Sequence, residues 1–188
     1  TIDEKISKIS EIIRYATNQK HGTMVVISYP ELATEEIKRL ENQCIKIVKT
    51  QLLKQRDDET NKKIIEKLTS IDGALYIDIE GYCYAIGVIL DGLASNQKGD
   101  TSRGARYNSA IRYQTMDNVK KNCVIVIISE DGMVDIIPDS KEEKKEINKR
   151  INEVKSLVAE GEFKQAIKQT EKIIELDNKN AELFLLKA

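Results

Sequence analysis

The stretch KGDTSRGARYNSAIRY (residues 98–113) sets three arginines, Arg103, Arg106 and Arg112, on a backbone interrupted by Gly99 and Gly104. A helix can start near Gly104. The first turn of a helix leaves N–H groups free and carries partial positive charge, an arrangement that holds phosphate. Arg103 and Arg106 add planar, bidentate phosphate donors, and Tyr107 offers a ring. Asn108 can hydrogen-bond a phosphate but brings no charge. Two further points carry chemistry. In Ile71-Asp72-Gly73-Ala74 a carboxylate precedes a glycine where a helical pattern gives way to a strand, so a ligand or metal can come close to the backbone. Ser129-Glu130-Asp131 puts a hydroxyl and a carboxylate at the end of an apolar run, and strand ends are where α/β sheets bind ligands. There a base could be recognised or a metal held. Neither GxxxxGK[ST] nor GxGxxG occurs. Taken singly, each of the three sites also reads as a plain turn or an ordinary helix start.

These residues need elements to position them. Ile2, Ile6, Ile9, Ile12 and Ile13 recur at helical spacing. TMVVIS (23–28) reads as a buried strand closed by Pro30. Thr34, with Glu35 and Glu36 after it, predicts the start of a long helix whose inner face is Ile37, Leu40, Cys44, Ile47, Val48 and Leu52. A shorter helix is expected over Lys62–Leu68. ALYIDI (74–79) and YCYAIGVIL (82–90) read as two strands around a Glu80-Gly81 turn, and the polar stretch 91–101 as a loop. A helix follows over Ser102–Met116. CVIVIIS (123–129) is the continuous apolar run of a strand buried on both faces, and Asp131-Gly132 turns it into MVDII (133–137). The expectation is an α/β fold of five strands with helices before, between and after.

Past Pro138 the composition changes. Residues 139–160 predict a charge-rich helix with Ile147, Ile151, Val154 and Val158 as its apolar stripe. KEEKKEINKR (141–150) reads as a solvated face, because neither sign dominates. The order Gly161, Phe163, Ala166, Ile167, Ile173, Leu176, Asn180, Phe184, Ala188 resembles a tetratricopeptide repeat, with Asn178 near where that family usually has proline. About one repeat is present, and one repeat cannot bury its own face. The domain boundaries expected are therefore 1–138 and 139–188.

With 188 residues and 40% hydrophobic content the chain can build one full domain and a small appendage. A net charge of −1 gives no general attraction to nucleic acid or membrane, so any anion site is local. Cys44, Cys83 and Cys123 form no CxxC pair and His21 is the single histidine, which argues against a zinc cluster. The odd cysteine count argues against a disulfide framework and for a reducing, cytoplasmic setting. No apolar run approaches the roughly 18 residues of a membrane span. The chain starts at Thr1 without methionine and ends inside a predicted helix, which reads as a fragment of something longer.

The three polar motifs, in their order and spacing over residues 1–138, resemble the diadenylate cyclase domain, the nucleotide-binding domain first described in a DNA-integrity-scanning protein. Asp72-Gly73-Ala74 matches the family's Asp-Gly-Ala. Gly104-Ala105-Arg106-Tyr107-Asn108-Ser109-Ala110 matches its Gly-Thr-Arg-His-Arg and the small residues that follow, and Ser129-Glu130-Asp131 its Ser-Glu-Glu. HGTMVVI (21–27) is similar to its opening strand. Tyr107 stands where the family has histidine and Asn108 where it has a second arginine, with Arg103 nearby as a substitute. The resemblance implies a central mixed β-sheet flanked by helices, two ATP condensed into cyclic di-AMP, and two copies meeting face to face. It implies that Asp72 activates the 3′-hydroxyl and, with Glu130, holds Mg²⁺ or Mn²⁺. Arg106, Asn108 and the helix start would hold the triphosphate, and Gly73 and Leu90 would line the adenine and ribose pocket. Ser129 and Glu130 would complete the phosphate or metal shell. Ala74, Asp91, Arg103, Gly104 and Tyr107 are further nucleotide-binding residues on this reading. The alternative is a domain that binds a nucleotide or cyclic dinucleotide without turnover, its repeat-like tail passing occupancy to a protein partner. A third reading, a structural domain whose repeats do the binding, leaves the three polar motifs without a purpose.

Overall fold

Thr23–Ser28 (β1), six consecutive buried residues rich in β-branched side chains, forms the middle of the sheet because it can be covered on both faces. The computed structural model describes residues 2–53, 57–92, 103–119, 122–138 and 140–176. Contacts divide the chain into two compact units, Thr1–Pro138 and Asp139–Ala188.

In the first unit the described residues form a six-stranded sheet. Numbered in chain order, its other strands are β2 (Ile45–Gln51), β3 (Ala74–Asp78), β4 (Tyr82–Val88), β5 (Cys123–Ile128) and β6 (Val134–Ile137). The order across the sheet is β2-β4-β3-β1-β5-β6. β1 and β3 run parallel and the other neighbours antiparallel, so the sheet is mixed. Helices α1 (Ile2–Ala16) and α3 (Asp58–Thr69) cover one face, burying Ile12, Tyr15 and Ile65 against Val25, Leu75, Ile77 and Val126. Helices α2 (Pro30–Arg39) and α4 (Ala105–Gln114) cover the other, with Leu32, Ile37, Ala110 and Tyr113 over Val26, Tyr76, Ala85 and Ile125.

The long helix expected from Thr34 to Leu52 is not formed. α2 begins four residues earlier at Pro30, whose fixed φ suits a first helical position, and stops at Arg39. Thr34 is no cap: its hydroxyl donates back to the Pro30 carbonyl at 2.9 Å. Residues 45–51 form edge strand β2, which brings the strands to six where five were expected. Ile45, Ile47, Val48 and Thr50 are β-branched, and pairing with β4 at Ile45↔Ile86 and Thr50↔Cys83 outweighs a helical spacing that a strand also fits. The shorter helix expected from Lys62 is extended to Asp58 by a cap, Asp57 accepting from Thr60 N at 2.9 Å. Cys83 and Cys123 are buried in strands, and burial pushes both thiols up to about 12.

One buried carboxylate ties α2 to α4. Glu36 accepts from Arg39 (Nη2, 2.7 Å), Tyr113 OH (2.8 Å) and Asn118 Nδ2 (2.7 Å). Burial, followed by the neighbouring Tyr76 and Glu36, drives the Tyr113 phenol upward, so it stays a donor. Glu36→Gln turns an amide donor toward a ring of donors and removes the buried one of Arg39's two counter-charges, leaving Asp91. We expect a loss of about 2 kcal/mol, read as a lower urea midpoint at unchanged slope.

The second unit is a helical hairpin, α5 (Ser140–Ala159) and α6 (Phe163–Leu176). Ile151, Val154 and Ala166 are its small buried core, with Leu157 against them. The turn closes with Glu162 N on Leu157 O at 2.8 Å. Phe163 and Ile167, read above as repeat signature residues, are exposed, as is Val158 of the expected stripe. Asn178, Asn180, Phe184 and Ala188 lie outside the described residues. Among the described residues no helix is long and apolar enough to cross a membrane.

Candidate nucleotide site

The parallel pairing of β1 with β3, and the antiparallel runs of β4 and β5 beside them, set one row of residues side by side: Val88, Ala74, Met24 and Ile127. This row lies at the N-terminal ends of β1 and β3 and the C-terminal ends of β4 and β5. A cleft of about 1110 Å³ opens there, with α4 along its wall. Of the residues singled out in the sequence, Asp72, Gly73, Leu90, Arg103, Gly104, Arg106, Tyr107, Ser129 and Glu130 line it. Four sequence segments that are far apart in the chain thus meet at one edge of the sheet.

Arg106 Nη2 lies 3.3 Å from Asp72 Oδ1, and the Asp72 side chain is 93% exposed. The guanidinium reaches there across Gly22, where a Cβ would sit 2.9 Å from Arg106 Nη1 and 2.8 Å from the Ile128 carbonyl oxygen. Gly22 therefore gives Arg106 its path, a role the sequence signalled only as a glycine between a histidine and a strand. Gly104 caps α4 with extended backbone, and Gly104 to Tyr107, the start of a helix whose first N–H groups have no intrahelical partner, line the cleft. A Cβ at Gly104 would meet no atom within 4 Å. The Arg103 guanidinium lies 4.4 Å from the Tyr107 ring centroid and pairs with Asp135 of β6.

Several expected residues are held by partners within the protein. Asp91 is not part of the cleft lining; its carboxylate accepts from Arg39 Nη1 at 2.6 Å and Gln43 Nε2 at 3.2 Å, which ties the end of β4 to α2. Ala74 is buried between Met24 and Val88 as part of the floor. The Asn108 amide folds back onto the carbonyls of Arg103 (3.0 Å) and Gly104 (3.3 Å), and Asn108 is absent from the lining. Ser129 donates to Asp131 and to the Met133 carbonyl at 3.0 Å, so it shapes the β5–β6 turn. That hydroxyl, helped by the Met133 N–H, holds the Asp131 carboxyl below its usual range. Residues 93–102, and with them Lys98 to Asp100, lie outside the described residues. Sequence reading passed over Met24, Ile127 and Met133 as cleft wall, and Ser109, whose hydroxyl donates to the Leu90 carbonyl at 2.9 Å.

The site's charge decides what cation it suits. Four carboxylates (Asp72, Glu130, Asp131, Asp135) and two guanidinium groups (Arg103, Arg106) line the cleft. Among the described residues no three Asp, Glu, His or Cys side chains converge as a metal cage. Such a wall fits a hard divalent ion that arrives on phosphate oxygens and needs only one or two carboxylates from the protein.

Known proteins add the following. The crystal structure of DacA from Staphylococcus aureus, a double mutant, is similar at 18% identity and a TM-score of 0.48, covering 71% of this chain and 81% of that one. No curated protein matches the chain. Residues 11–142, well over half the sequence, match the DisA bacterial checkpoint controller nucleotide-binding family. A nucleotide-binding α/β domain, with the sheet edge, helix start and acidic turn described above, therefore makes this chain a member of the DisA bacterial checkpoint controller nucleotide-binding family.

Proposed function

We propose that the domain is a diadenylate cyclase-like nucleotidyltransferase that condenses two ATP molecules into cyclic di-AMP. The observation that carries this reading is the Arg106–Asp72 pair: a phosphate-binding cation and an exposed carboxylate 3.3 Å apart on the wall of one cleft. The apolar part of the cleft, Met24, Val88, Leu90 and Ile127, takes the adenine and ribose. Arg106 and the first-turn amides of α4 take the triphosphate. Asp72 accepts the proton of the 3′-hydroxyl as that oxygen attacks the α-phosphorus of an ATP held by a facing copy. The O3′–P bond forms, the bond to the bridging oxygen breaks, and pyrophosphate leaves with its electron pair. A second, reciprocal attack closes the ring, so two copies must meet face to face. Asp72 and Glu130 would hold Mg²⁺ or Mn²⁺, which when bound neutralises charge on the phosphate oxygens. ATP as substrate and three cysteines without disulfides belong with a cytoplasmic setting.

The test is product: purified protein with ATP and Mn²⁺ or Mg²⁺ should yield cyclic di-AMP by mass spectrometry. Arg106→Ala should raise the Kd for ATP at least about tenfold by calorimetry, since a charge-assisted phosphate contact is lost. Unchanged affinity would remove Arg106 from the site.

A second reading has one observation behind it. Asn108 spends its amide on its own helix start, so no second α4 side chain brings charge to the phosphates. A domain of that kind binds ATP or cyclic di-AMP without turnover, and the hairpin, in its tetratricopeptide-like reading, passes occupancy to a protein partner. Binding without product in the same assay selects this reading.

A further inference from the structure

We propose that Arg103 is a second phosphate-binding cation of the cleft, with Tyr107 and Asp135 as the residues that position it. The inference rests on the nucleotide reading above and deepens it with a geometry that the motifs do not give.

One backbone contact and two side-chain contacts hold Arg103. The Asn108 amide bonds the Arg103 carbonyl at 3.0 Å, so the backbone that carries Arg103 is tied to the first turn of α4. The guanidinium lies over the Tyr107 ring at 4.4 Å, and that ring is itself half-buried against the core under α4. Asp135, from β6 on another part of the cleft wall, pairs with Arg103 Nη2. Arg103 and Asp135 are each about one-third exposed, at 32% and 33%, and both line the cleft. Stacking fixes the plane of a guanidinium, and a carboxylate on one edge fixes its rotation, so the fork is held in one orientation before a ligand arrives. An unsupported arginine must lose its rotamer freedom on binding, and a positioned one has already done so. Asn108 brings no charge, so among the described lining residues Arg103 joins Arg106 as the second cation offered to a polyphosphate.

The experiment uses the full chain and two probes at fixed Mg²⁺, ATP and adenosine, with calorimetry as the readout. Arg103→Ala is expected to weaken ATP about tenfold and to leave adenosine unchanged. Tyr107→Leu, which removes the ring's π face, is expected to weaken ATP about threefold, and Tyr107→Phe to bind as wild type, since the ring is retained. Asp135→Asn should also weaken ATP about threefold, and the Arg103→Ala/Asp135→Asn pair should be no worse than Arg103→Ala alone, because Asp135 acts through Arg103. ATP affinity unchanged in Arg103→Ala overturns the proposal. So does an Asp135→Asn protein that binds ATP as tightly as, or more tightly than, wild type, since the carboxylate would then only compete with phosphate. Equal losses for ATP and adenosine would assign the three residues to cleft shape and overturn it too. If wild type binds neither probe, the nucleotide reading itself fails, and that result is separate from all of these.

Discussion

On the cyclase reading proposed above, Asp72→Asn is expected to lower conversion of ATP to cyclic di-AMP by about a thousandfold, within the usual range for losing a general base, while the fold stays intact. The side chain is 93% exposed and makes one ion pair, at 3.3 Å with Arg106. An exposed pair contributes under about 1 kcal/mol, so neither the melting temperature nor the core should register its loss. The amide keeps the size and a hydrogen-bond acceptor for Arg106, but it cannot take a proton from a hydroxyl. Three measurements on one preparation separate the causes: product by mass spectrometry, thermal unfolding, and ATP affinity. Lost product with unchanged melting and binding assigns the chemistry to the carboxylate. Product that persists moves the base to another group, and Glu130 of the same lining is the first to test.

How much of this was legible in the sequence depended on whether a feature is local. The strands at 23–28, 74–78, 82–88, 123–128 and 134–137 were readable because each is a short β-rich run with a turn signal beside it. β2 was not, because Ile37, Leu40, Cys44, Ile47 and Val48 happen to fall at helical spacing across a boundary that carries neither glycine nor proline. Only the vacant edge of β4 decides that residues 45–51 pair instead of coiling. The same division holds in the cleft. Asp72-Gly73, Gly104 to Tyr107 and Ser129-Glu130 are contiguous, so their chemistry shows in a few letters. Gly22 and Asp135 matter only through arginines 84 and 32 residues away in the chain, with distances set by strand register and the path of α4. Asp91 shows the converse: its carboxylate is paired by Arg39 of α2, a contact that no local run of letters announces.

Gly73→Ala is expected to cost about 3 kcal/mol or more of stability and to weaken ATP binding in whatever protein remains folded. Gly73 has φ of 103°, which a side chain resists, and its Cβ would stand 2.6 Å from the Gly87 carbonyl carbon and 2.9 Å from its Cα. Gly87 is itself at φ of 59°, with its own Cβ position 3.2 Å from the Asp72 carbonyl oxygen. The ends of β3 and β4 therefore meet backbone to backbone under the cleft, and no side chain can swing away to make room. Relief requires β4 to move, and β4 leads into Val88 and Leu90 of the apolar wall, while Asp72 is the residue before the altered one. Urea unfolding measures the first effect, and an ATP titration well below the transition measures the second. Gly104→Ala is the matched control. At Gly104 φ is −66° and no atom lies within 4 Å of a Cβ, so alanine should leave stability unchanged. A loss of ATP affinity there, without any loss of stability, means that Gly104 is glycine for the ligand, whereas Gly73 is glycine for the fold beneath it. If Gly73→Ala unfolds in urea like wild type, the two strand ends are not in contact, and the floor assigned to the cleft is wrong.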